Sequence, residues 1–372
     1  MTREDTRFQV AEFFAGVGLA RTGLESTGAF RVVYANDIDP DKASLYRANW
    51  RGDGNRHFDV RDIHAVVADG LPPARLDLAW ASFPCTDLSL AGDRNGLDGP
   101  ESGTWWGFHS LLGALASEDR APRVVAVENV HGLATSKGGR DLERVVESLN
   151  ELEYACDVLS IDARHFLPQS RPRLFVIAAL EPLKSVGWEE PNAARPAWIS
   201  EWLRDRPHLK TTAAWLPPLP DGPTNLDDWL EPVTTDDPRW WEPERQERFV
   251  RELSDLQLER YEHLREGSYL SWRTAYRRTR RGKTAWEIRA DGIAGCLRAV
   301  RGGSSLQAVV EVGMGEARVR WMTPCEYASL MGAWTYEIRG HRRNQVYFGF
   351  GDAVAVPVVA WLAENYLQPL LA

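Results

Sequence analysis

A cysteine lies where an apolar run gives way to a polar, glycine-rich loop. The stretch DLAWASFPCTDLSLAGDRNGLDG, residues 77–99, places Cys85 directly after Pro84. A structural cysteine is usually buried among apolar neighbours, whereas a thiol at a strand end is accessible and can react as its thiolate. The sequence therefore predicts a reactive Cys85. The remaining cysteines are expected to be small buried residues: Cys156, Cys296 and Cys325.

A carboxylate ends a second apolar run. VVAVENV presents Glu128 and Asn129 at the end of a predicted strand that is otherwise apolar. Loss of water raises the pKa of a carboxyl group and suits it to donate a proton near neutral pH. Glu128 is therefore a candidate for proton donation.

Two arginines alternate in a third segment. In LPQSRPRLFVIA, Arg171 and Arg173 flank Pro172 on a predicted strand. Side chains two residues apart on a strand point to the same side, so both guanidinium groups are expected on one face. Two fixed cations can hold a carboxylate or the polar edge of a base.

A glycine turn and acidic residues predict a nucleoside site. Gly16 and Gly18 stand between a predicted strand and a predicted helix, where glycine lets the backbone approach a ligand. Asp37 ends the next apolar run, in a position to bind ribose hydroxyls, and Asp62 follows a further strand. This pattern fits a dinucleotide or S-adenosylmethionine. At least one of Asp37 and Asp39 is expected to cap a helix.

Strands and helices alternate through the first half of the chain. The predicted strands are FQVAEFFAG, FRVVYANDI, LDLAWASF, RVVAVENV and RLFVIAAL. The predicted helices are LARTGLESTG, DPDKASLYRANW, WWGFHSLLGALASE and GRDLERVVESLNELEY. This alternation predicts an α/β fold with a mainly parallel, doubly wound sheet, in which ligands bind beyond the carboxyl ends of the strands.

The composition changes after about Leu183 to tryptophan, proline and acidic residues, which indicates a domain boundary. ERFVRELSDLQLERYEHLREG then predicts one helix and leads into strand-like residues with a basic cluster. From WMTPCEYASLMG onward helical order returns. FGFGDAVAVPVVAWLAENYL predicts a glycine turn followed by an apolar helix.

Bulk composition limits the classes of function. The 372 residues are 44% hydrophobic and 26% charged, enough for a large domain plus a smaller one. The net charge of −9 argues against generic nucleic-acid binding, although a local basic patch can still bind. The absence of a long apolar run and of a signal-peptide pattern predicts a cytoplasmic protein without a membrane partner. The cysteine spacing predicts neither a metal site nor disulfides.

Short motifs occur in the order found in DNA cytosine-5 methyltransferases: FFAGVG, NDID, DVRDI, FPCTDLS, VENV, QSRPR, TPCEYASLMG and GDAV. The chain therefore resembles a bacterial member of that family, of the restriction-modification type. The matches run from Phe13 to Gly187 and again from Trp321 onward. Each motif alone is weak, whereas PC, ENV and QxRxR in this order give a strong combined signal.

The resemblance implies a covalent mechanism. Cys85 matches the nucleophile that adds to C6 of a cytosine flipped out of the duplex, after which C5 takes a methyl group. Glu128 matches the contact to N3 and the exocyclic amine. Arg173 matches the contact to O2, with Arg171 supporting the same site. The loop from Thr86 to Gly103 resembles the family's mobile catalytic loop, with hinges at Gly92, Gly96, Gly99 and Gly103.

The resemblance also implies S-adenosylmethionine as the cofactor. The matching positions are Phe14, Gly16, Val17, Gly18, Asp37, Ile38, Asp62, Ile63, Pro84, Trp105, Asp352 and Ala353. The C-terminal helix is accordingly expected to fold back onto the first domain. Two positions depart from the family pattern, because Thr86 stands where glutamine is common and Asp352 where asparagine is common.

The family pattern divides the chain into three parts. Residues 1–187 match the catalytic and cofactor-binding domain, 188–339 the smaller target recognition domain, and 340–372 a segment that returns to the catalytic domain. A basic cluster in the second part is the candidate DNA surface, since phosphate contacts position such proteins. It comprises Arg273, Arg277, Arg278, Arg280, Arg281 and Lys283, with RGGSS (301–305) as a second contact.

The resemblance implies double-stranded DNA as the substrate, a monomeric enzyme, and a cognate restriction endonuclease acting on the same site. Alternatives stay open: a tRNA-directed enzyme, a transferase of a carboxymethyl group, or a catalytically silent DNA-binding protein. The long second domain favours DNA over tRNA, and the intact chemical residues argue against a silent protein. A nicotinamide oxidoreductase would leave PC, ENV and QSRPR unexplained.

Overall fold

The computed structural model describes residues 7–372 apart from 53, 70, 72–75, 86, 88–95, 100, 189, 281–282 and 300–305. Several residues singled out above lie outside the described residues: Thr86, Gly92, Arg281 and the segment 301–305. The side chains of Arg280 and Lys283 are also not described.

The described chain forms two compact units. The first contains residues up to Asp162, Pro172–Leu219 and Val354–Ala372, and the second contains Ala163–Arg171 and Pro220–Ala353. The limits of these units do not coincide with the limits predicted at residues 187 and 339.

A seven-stranded sheet forms the centre of the first unit. Its strands are β1 (Phe8–Phe13), β2 (Phe30–Asn36), β3 (Phe58–Asp59), β4 (Leu78–Ala81), β5 (Val124–Val130), β6 (Ala155–Asp162) and β7 (Pro172–Ala179). The order is β3-β2-β1-β4-β5-β7-β6, with β1 to β5 parallel and β7 antiparallel to both neighbours. The predicted α/β class with a mainly parallel sheet is confirmed.

The first unit also contains helices, the longer of which bury apolar residues in its core. They are α1 (Leu19–Ser26), α2 (Pro40–Asn49), α3 (Gly54–His57), α4 (Ile63–Asp69), α5 (Thr104–Ser117), α6 (Gly132–Thr135), α7 (Arg140–Glu151) and α8 (Ala197–Arg204). In α7, Leu142, Val145, Val146 and Leu149 recur at the helical period and are fully buried. Phe13 of β1 packs against the ring of Phe108 in α5, with ring centres 5.1 Å apart. These contacts fix the sheet edge that carries the candidate residues.

Strand β6 is not among the predicted strands, because a charged residue interrupts its apolar pattern. Asp157 is the third residue of β6 and is fully buried. Its carboxylate accepts hydrogen bonds from Arg195 at 3.0 and 2.5 Å, from the Tyr366 hydroxyl at 2.7 Å and from the Ala214 amide at 3.1 Å. A buried charge is tolerated when it is paired and fully hydrogen-bonded, and these partners are distant in sequence.

The second unit is built on an antiparallel sheet. Its strands are β8 (Ser271–Arg280), β9 (Lys283–Ile288), β10 (Ala308–Gly313) and β11 (Glu316–Trp321), in the order β11-β10-β8-β9. Its helices are α9 (Pro243–Arg251), α10 (Asp255–Arg265), α11 (Pro324–Leu330) and α12 (Arg343–Asp352). It has its own core around Trp241, Phe249 and Trp286. The single helix predicted from ERFVRELSDLQLERYEHLREG is therefore two helices.

The predicted glycine turn in FGFGD is wrong, because these residues end helix α12. Gly351 allows that helix to lie directly on another segment of the second unit. A Cβ at Gly351 would lie 2.2 Å from the backbone nitrogen of Ala299. This glycine thus serves close packing within a helix.

The chain ends with α13 (Val356–Leu362), a π-helical turn (Ala363–Leu367) and α14 (Gln368–Leu371) in the first unit. Helix α13 packs closely on α1, since a Cβ at Gly23 would lie 2.6 Å from the Cβ of Val359. The helical stretch Arg343–Leu371 is long and apolar enough to cross a membrane, but 67% of its apolar window is buried within the protein. That burial is typical of a core helix.

A buried carboxyl group on β1 makes stability depend on pH. Glu12 is 1% exposed, and its Oε1 accepts a hydrogen bond from the Arg21 amide at 3.3 Å. Its Oε2 has no hydrogen-bond partner within the described chain. Burial away from water raises the pKa of Glu12 from 4.5 to about 8, although the charge of Arg21 acts to lower it.

We expect the Glu12→Gln variant to lose this pH dependence. Because the folded pKa is the higher one, Glu12 stabilises the fold fully below about pH 4.5, and this contribution is lost as the pH rises through about 8. At about 1.36 kcal/mol per pKa unit, the free energy of unfolding should fall relative to Glu12→Gln by on the order of 4 kcal/mol between pH 5 and 9. Denaturant titrations of both proteins across this pH range measure the difference in unfolding free energy.

Glu118→Gln is the matched control, because the Glu118 side chain is 56% exposed. Its stability should follow that of the unaltered protein at every pH. A constant difference between Glu12→Gln and the unaltered protein across the range would contradict the prediction.

Candidate active site

Candidate residues gather at one edge of the seven-stranded sheet. The carboxyl ends of parallel strands lie at the same edge, where ligands bind in such folds. The Phe14–Gly18 turn follows β1, Asp37 follows β2, Cys85 follows β4, and Glu128 lies near the end of β5. All of them belong to the first unit.

Glu128 and Arg173 form an ion pair across β5 and β7. The Nε of Arg173 lies 3.1 Å from Oε1 of Glu128, and the two side chains are only 12% and 6% exposed. The strand register places Arg173 opposite Val130, at the end of β5. The pair therefore presents a fixed acceptor and fixed donors side by side, which suits recognition of a planar polar edge.

Arg171 does not share that position. It is 1% exposed, and its guanidinium donates hydrogen bonds to the carbonyl oxygens of Leu297, Gly351 and Ala353 at 2.6, 2.9 and 2.5 Å. These partners all lie in the second unit. The expectation that both guanidinium groups face one site is corrected, because Arg171 precedes β7 and binds backbone carbonyls instead.

Two side chains hold the backbone immediately before Cys85. The Asn129 amide donates a hydrogen bond to the Phe83 carbonyl at 3.1 Å, and the Ser102 hydroxyl donates to the Pro84 carbonyl at 3.0 Å. Cys85 itself is partly exposed. The backbone that precedes the thiol is thus held by two side-chain hydrogen bonds. The role of Ser102 in holding this backbone was not evident from the sequence, because a loop separates Ser102 from Pro84 along the chain.

The other cysteines differ among themselves. Cys156 is fully buried as expected, and burial raises the pKa of its thiol, with the nearby charge of Asp157 acting in the same direction. Cys296 is partly buried. Cys325 is exposed, so the prediction that it is buried is wrong. It stands at the first turn of α11, where its side chain faces outward.

A histidine that the sequence analysis did not select borders the ion pair. His131 directly follows β5, and its Nε2 lies 2.6 Å from the Ser160 hydroxyl. Its ring also contacts Trp198 edge-on. Burial lowers the pKa of His131, and the positive charge of Arg173 lowers it further. The imidazole is therefore mostly uncharged at neutral pH, so Arg173 rather than His131 supplies the positive charge beside Glu128.

The turn after β1 has a strained backbone. Phe14, Gly16 and Gly18 all have positive φ, of 55°, 57° and 78°. A bulky residue such as phenylalanine rarely adopts this conformation, and such strain is concentrated at functional sites. The turn is held by Asp37, whose Oδ2 accepts a hydrogen bond from the Gly16 amide at 2.8 Å.

Asp37 and Asp39 have different structural tasks. Asp37 is 7% exposed, and its Oδ1 accepts a hydrogen bond from the Asp39 amide at 2.8 Å. Burial raises the pKa of Asp37, partly offset by the charge of Lys42. Asp39 caps α2 by accepting hydrogen bonds from the amides of Asp41 and Lys42. The expectation that one of the two aspartates caps a helix is confirmed.

The predicted cofactor positions differ in the surface that they offer. Ile38 is 64% exposed beside the glycine turn, and Asp62 is also exposed. Phe14, Gly16 and Pro84 are partly exposed. By contrast, Val17, Ile63 and Trp105 are buried, with exposed fractions of 0, 3 and 0%. The indole of Trp105 donates a hydrogen bond to Ser148 at 3.2 Å and packs against Phe83 and Phe108. These three buried residues pack in the core beneath the sheet edge that carries the candidate residues.

Asp352 and Ala353 belong to the second unit, where they end α12. Asp352 is exposed and Ala353 is partly exposed. The carbonyl of Ala353 is among those bound by Arg171. Arg171 therefore fixes the backbone at these two positions.

The described members of the basic cluster lie on β8 and β9 of the second unit. Arg277 pairs with Glu252 at 3.3 Å and lies over the Trp286 ring. Arg278 pairs with Glu287 at 3.3 Å, and its side chain is 46% exposed. Successive residues of a strand point to opposite faces, so these two arginines lie on different sides of the sheet. Nearby carboxylates thus offset part of the positive charge.

Comparison with known proteins covers nearly the whole chain. The sequence profile of the family described as C-5 cytosine-specific DNA methylase matches residues 8–368. The type II methyltransferase M.Bsp6I of Bacillus sp. (strain RFL6) is 31% identical over 171 residues, which are 45% of this chain and 51% of that protein. M.HhaI of Haemophilus parahaemolyticus is 27% identical over 203 residues, 54% and 57% of the two chains.

The chain spans about half the length of the curated relatives that it matches. Among solved structures, the Dnmt2 methyltransferase of S. pombe superimposes with a TM-score of 0.60 at 18% identity, over 98% of this chain and 99% of that one. A structure described as a putative DNA modification methyltransferase encoded within an E. coli prophage superimposes with a TM-score of 0.55 at 17% identity, again over 98% of this chain and 99% of that one. At these identities the structures establish a shared fold.

The tight packing at Gly18 yields a test of the glycine turn. A Cβ at Gly18 would lie 2.7 Å from the rings of Tyr46 and Trp50. Gly28 has a similar φ of 75° with no atom within 4 Å of such a Cβ. Alanine at either position costs roughly 1–2 kcal/mol for the left-handed backbone. We expect Gly18→Ala to lose a further 1–3 kcal/mol, approximately, through overpacking.

Denaturant unfolding of both variants measures this difference, and Gly28→Ala serves as the matched control. Equal losses of unfolding free energy in the two variants would show that the turn tolerates a side chain and is not closely packed.

Proposed function

Because the chain belongs to the C-5 cytosine-specific DNA methylase family, we propose that it transfers a methyl group from S-adenosylmethionine to C5 of a cytosine in double-stranded DNA. The neighbouring positions of Cys85 and the Glu128–Arg173 pair support this activity most directly. Asn129 joins them, since it follows Glu128 and binds the carbonyl of Phe83, two residues before Cys85. A nucleophile beside a fixed acceptor and cation is what addition to a polar ring requires.

The thiolate of Cys85 forms a bond to C6 of the cytosine, which moves the electron pair of the C5–C6 double bond to C5. That pair would bond to the methyl group of bound S-adenosylmethionine, whose methyl–sulfur bond would break and leave S-adenosylhomocysteine. Loss of the C5 proton then re-forms the double bond and expels the thiolate. This covalent route replaces one difficult step by two easier ones.

The ion pair holds the polar edge of the ring during this reaction. Glu128 contacts N3 and the exocyclic amine, and Arg173 donates to O2. Their low exposure limits screening by water, so the cation of Arg173 acts strongly on the negative charge that develops on the ring. C6 is accessible only from above the ring plane, so the cytosine must leave the base stack before Cys85 reaches it.

The residues after β1 and β2 fit an adenosine-bearing cofactor. Ile38 offers exposed apolar surface to a base, and Asp37 fixes the turn beside it. The exposed carboxylate of Asp62 offers an acceptor to an amino group. When bound, S-adenosylmethionine supplies an electrophilic methyl group. We assign direct contacts to the exposed positions and a supporting role to Val17, Ile63 and Trp105.

We assign DNA binding to the second unit. The cations of β8 and β9 would contact phosphates, which position a protein on the duplex without reading its sequence. Arg278 is the best placed of the described side chains, because it is half exposed. We further propose that the protein acts in the cytoplasm as a monomer and protects a site cleaved by a partner endonuclease. The names of its type II relatives support that role.

Replacing the nucleophile tests the activity. We expect Cys85→Ala to reduce methyl transfer to background, at least about 10³-fold, because no adduct can form at C6. DNA binding should persist. Transfer of a labelled methyl group from S-adenosylmethionine to unmethylated genomic DNA measures the activity, and a gel mobility-shift assay measures DNA binding. Cys325→Ser, at an exposed thiol, is the control.

Retained transfer in Cys85→Ala would refute the covalent mechanism. Transfer by the unaltered protein to RNA in place of DNA would favour the tRNA-directed alternative. Transfer of a carboxymethyl group, detected by mass spectrometry of the product base, would favour a modified cofactor.

Charge reversal tests the DNA surface. We expect Arg278→Glu combined with Arg280→Glu and Arg281→Glu to weaken DNA binding and to flatten its salt dependence. The slope of log affinity against log salt should fall by about 0.9 for each phosphate that the variant no longer neutralises. Arg339→Glu is the control, because its side chain is 90% exposed outside the cluster. An unchanged slope in the triple variant would exclude this surface.

A further inference from the structure

A buried carboxylate lies two residues after Cys85. Asp87 is 4% exposed, and its Oδ2 accepts hydrogen bonds from the amides of Glu101 and Ser102 at 3.0 and 2.8 Å. No ion pair to Asp87 is present among the residues that the structure describes. The amides that it binds belong to the two residues that precede the N-cap of α5, Gly103.

Ser102 connects this carboxylate to the other side of Cys85. Its amide binds Asp87, and its hydroxyl donates to the carbonyl of Pro84 at 3.0 Å. Ser102 is fully buried. The residues on both sides of the thiol are therefore tied to one residue, and that residue belongs to the first turn before a long helix.

The surrounding backbone accommodates the carboxylate closely. A Cβ at Gly99 would lie 2.2 Å from the carboxyl carbon of Asp87. The amide of Gly96 donates to the carbonyl of Asp87 at 3.2 Å. Burying a carboxylate costs more than burying an apolar side chain of equal size. Its presence here therefore calls for a function that an apolar anchor would not serve.

A second anchor of the same segment allows that function to be separated from simple loop stability. Asp98 pairs with Lys137 at 2.5 Å and with Arg144 at 2.9 Å. Its side chain is 60% exposed, and the pairs lower the pKa of its carboxyl group. Asp98 holds the loop from its exposed side, and among the residues that the structure describes it has no hydrogen bond to Pro84 or Asp87.

We propose that Asp87 and Ser102 are a positioning pair that fixes the backbone on both sides of Cys85, so that the thiolate is directed at the reacting carbon. This role rests on the proposed function. Asn129 holds the preceding carbonyl, so the nucleophile is fixed between the end of β5 and the start of α5. Errors of about 1 Å in such a position lower rates by about 100-fold, whereas binding of the substrate is little changed.

The test measures formation of the covalent adduct. Duplex DNA carrying 5-fluorocytosine in place of cytosine cannot lose a proton from C5, so reaction with S-adenosylmethionine stops at the Cys85 adduct. At saturating DNA we expect Asp87→Ala and Ser102→Ala each to form this adduct about 10- to 100-fold more slowly than the unaltered protein. Their DNA affinity should stay within about twofold, since neither residue contacts DNA in this role.

Two further variants separate positioning from stability. Asp87→Asn keeps an oxygen that can accept both amide hydrogen bonds, so it should recover most of the adduct rate. Asp98→Asn should form the adduct at the unaltered rate even if its melting temperature falls. The double variant Asp87→Ala/Ser102→Ala should be little slower than either single variant, because both act on the same backbone.

Adduct formation at the unaltered rate by folded Ser102→Ala and Asp87→Asn, and by Asp87→Ala where it folds, would overturn the positioning role. Equal slowing in Asp98→Asn and Ser102→Ala would also overturn it, because general loop stability would then explain the effect. If the unaltered protein forms no adduct and transfers no methyl group, the proposed function fails, and the positioning role fails with it.

Discussion

The reversal of β7 within an otherwise parallel stretch of sheet is the constraint on which the candidate site depends. Parallel strands all end at one edge, so a strand of the same direction would present only its last residues there. Because β7 runs the other way, its second residue, Arg173, reaches the edge where β5 ends at Val130, close enough to pair with Glu128 two residues before that end. Each partner offsets the desolvation of the other, and removal of either one would leave an uncompensated buried charge, at a cost of about 3–5 kcal/mol.

The rest of this edge is held by polar side chains bound to backbone groups. Asp37 binds the turn after β1, Asn129 binds the segment after β4, and Ser102 binds the residue before the thiol. Buried polar groups must find partners, so each of these contacts resists movement more than an apolar contact would. The edge therefore holds the candidate catalytic residues in fixed positions, which is the condition for efficient positioning of reactants.

Periodicity and motif order were enough to predict the parallel strands and the residues that directly follow them. Residues at or just beyond the carboxyl end of a parallel strand lie at the sheet edge regardless of how the rest of the chain folds. Cys85 and Glu128 could therefore be selected from the sequence alone. The failures share a physical cause, namely partners that are distant in sequence. Asp157 interrupts β6 but is neutralised by Arg195, and Gly351 looks like a turn residue but serves helix packing. Spacing on the chain carries no information about such partners.

Arg171 shows the same limit within a single motif. The spacing in QSRPR suggests one chemical purpose for both arginines, yet the structure gives them different partners. Gln169 and Arg171 bind backbone groups of the second unit, including the carbonyl oxygens at the end of α12, whereas Arg173 pairs with Glu128 in the first. A helix C-terminus carries partial negative charge, and a planar guanidinium can donate to several carbonyls at once, as a lysine ammonium cannot with the same geometry. Two separate physical demands, closure of a helix end and pairing with a buried carboxylate, therefore account for arginine at both positions of one motif.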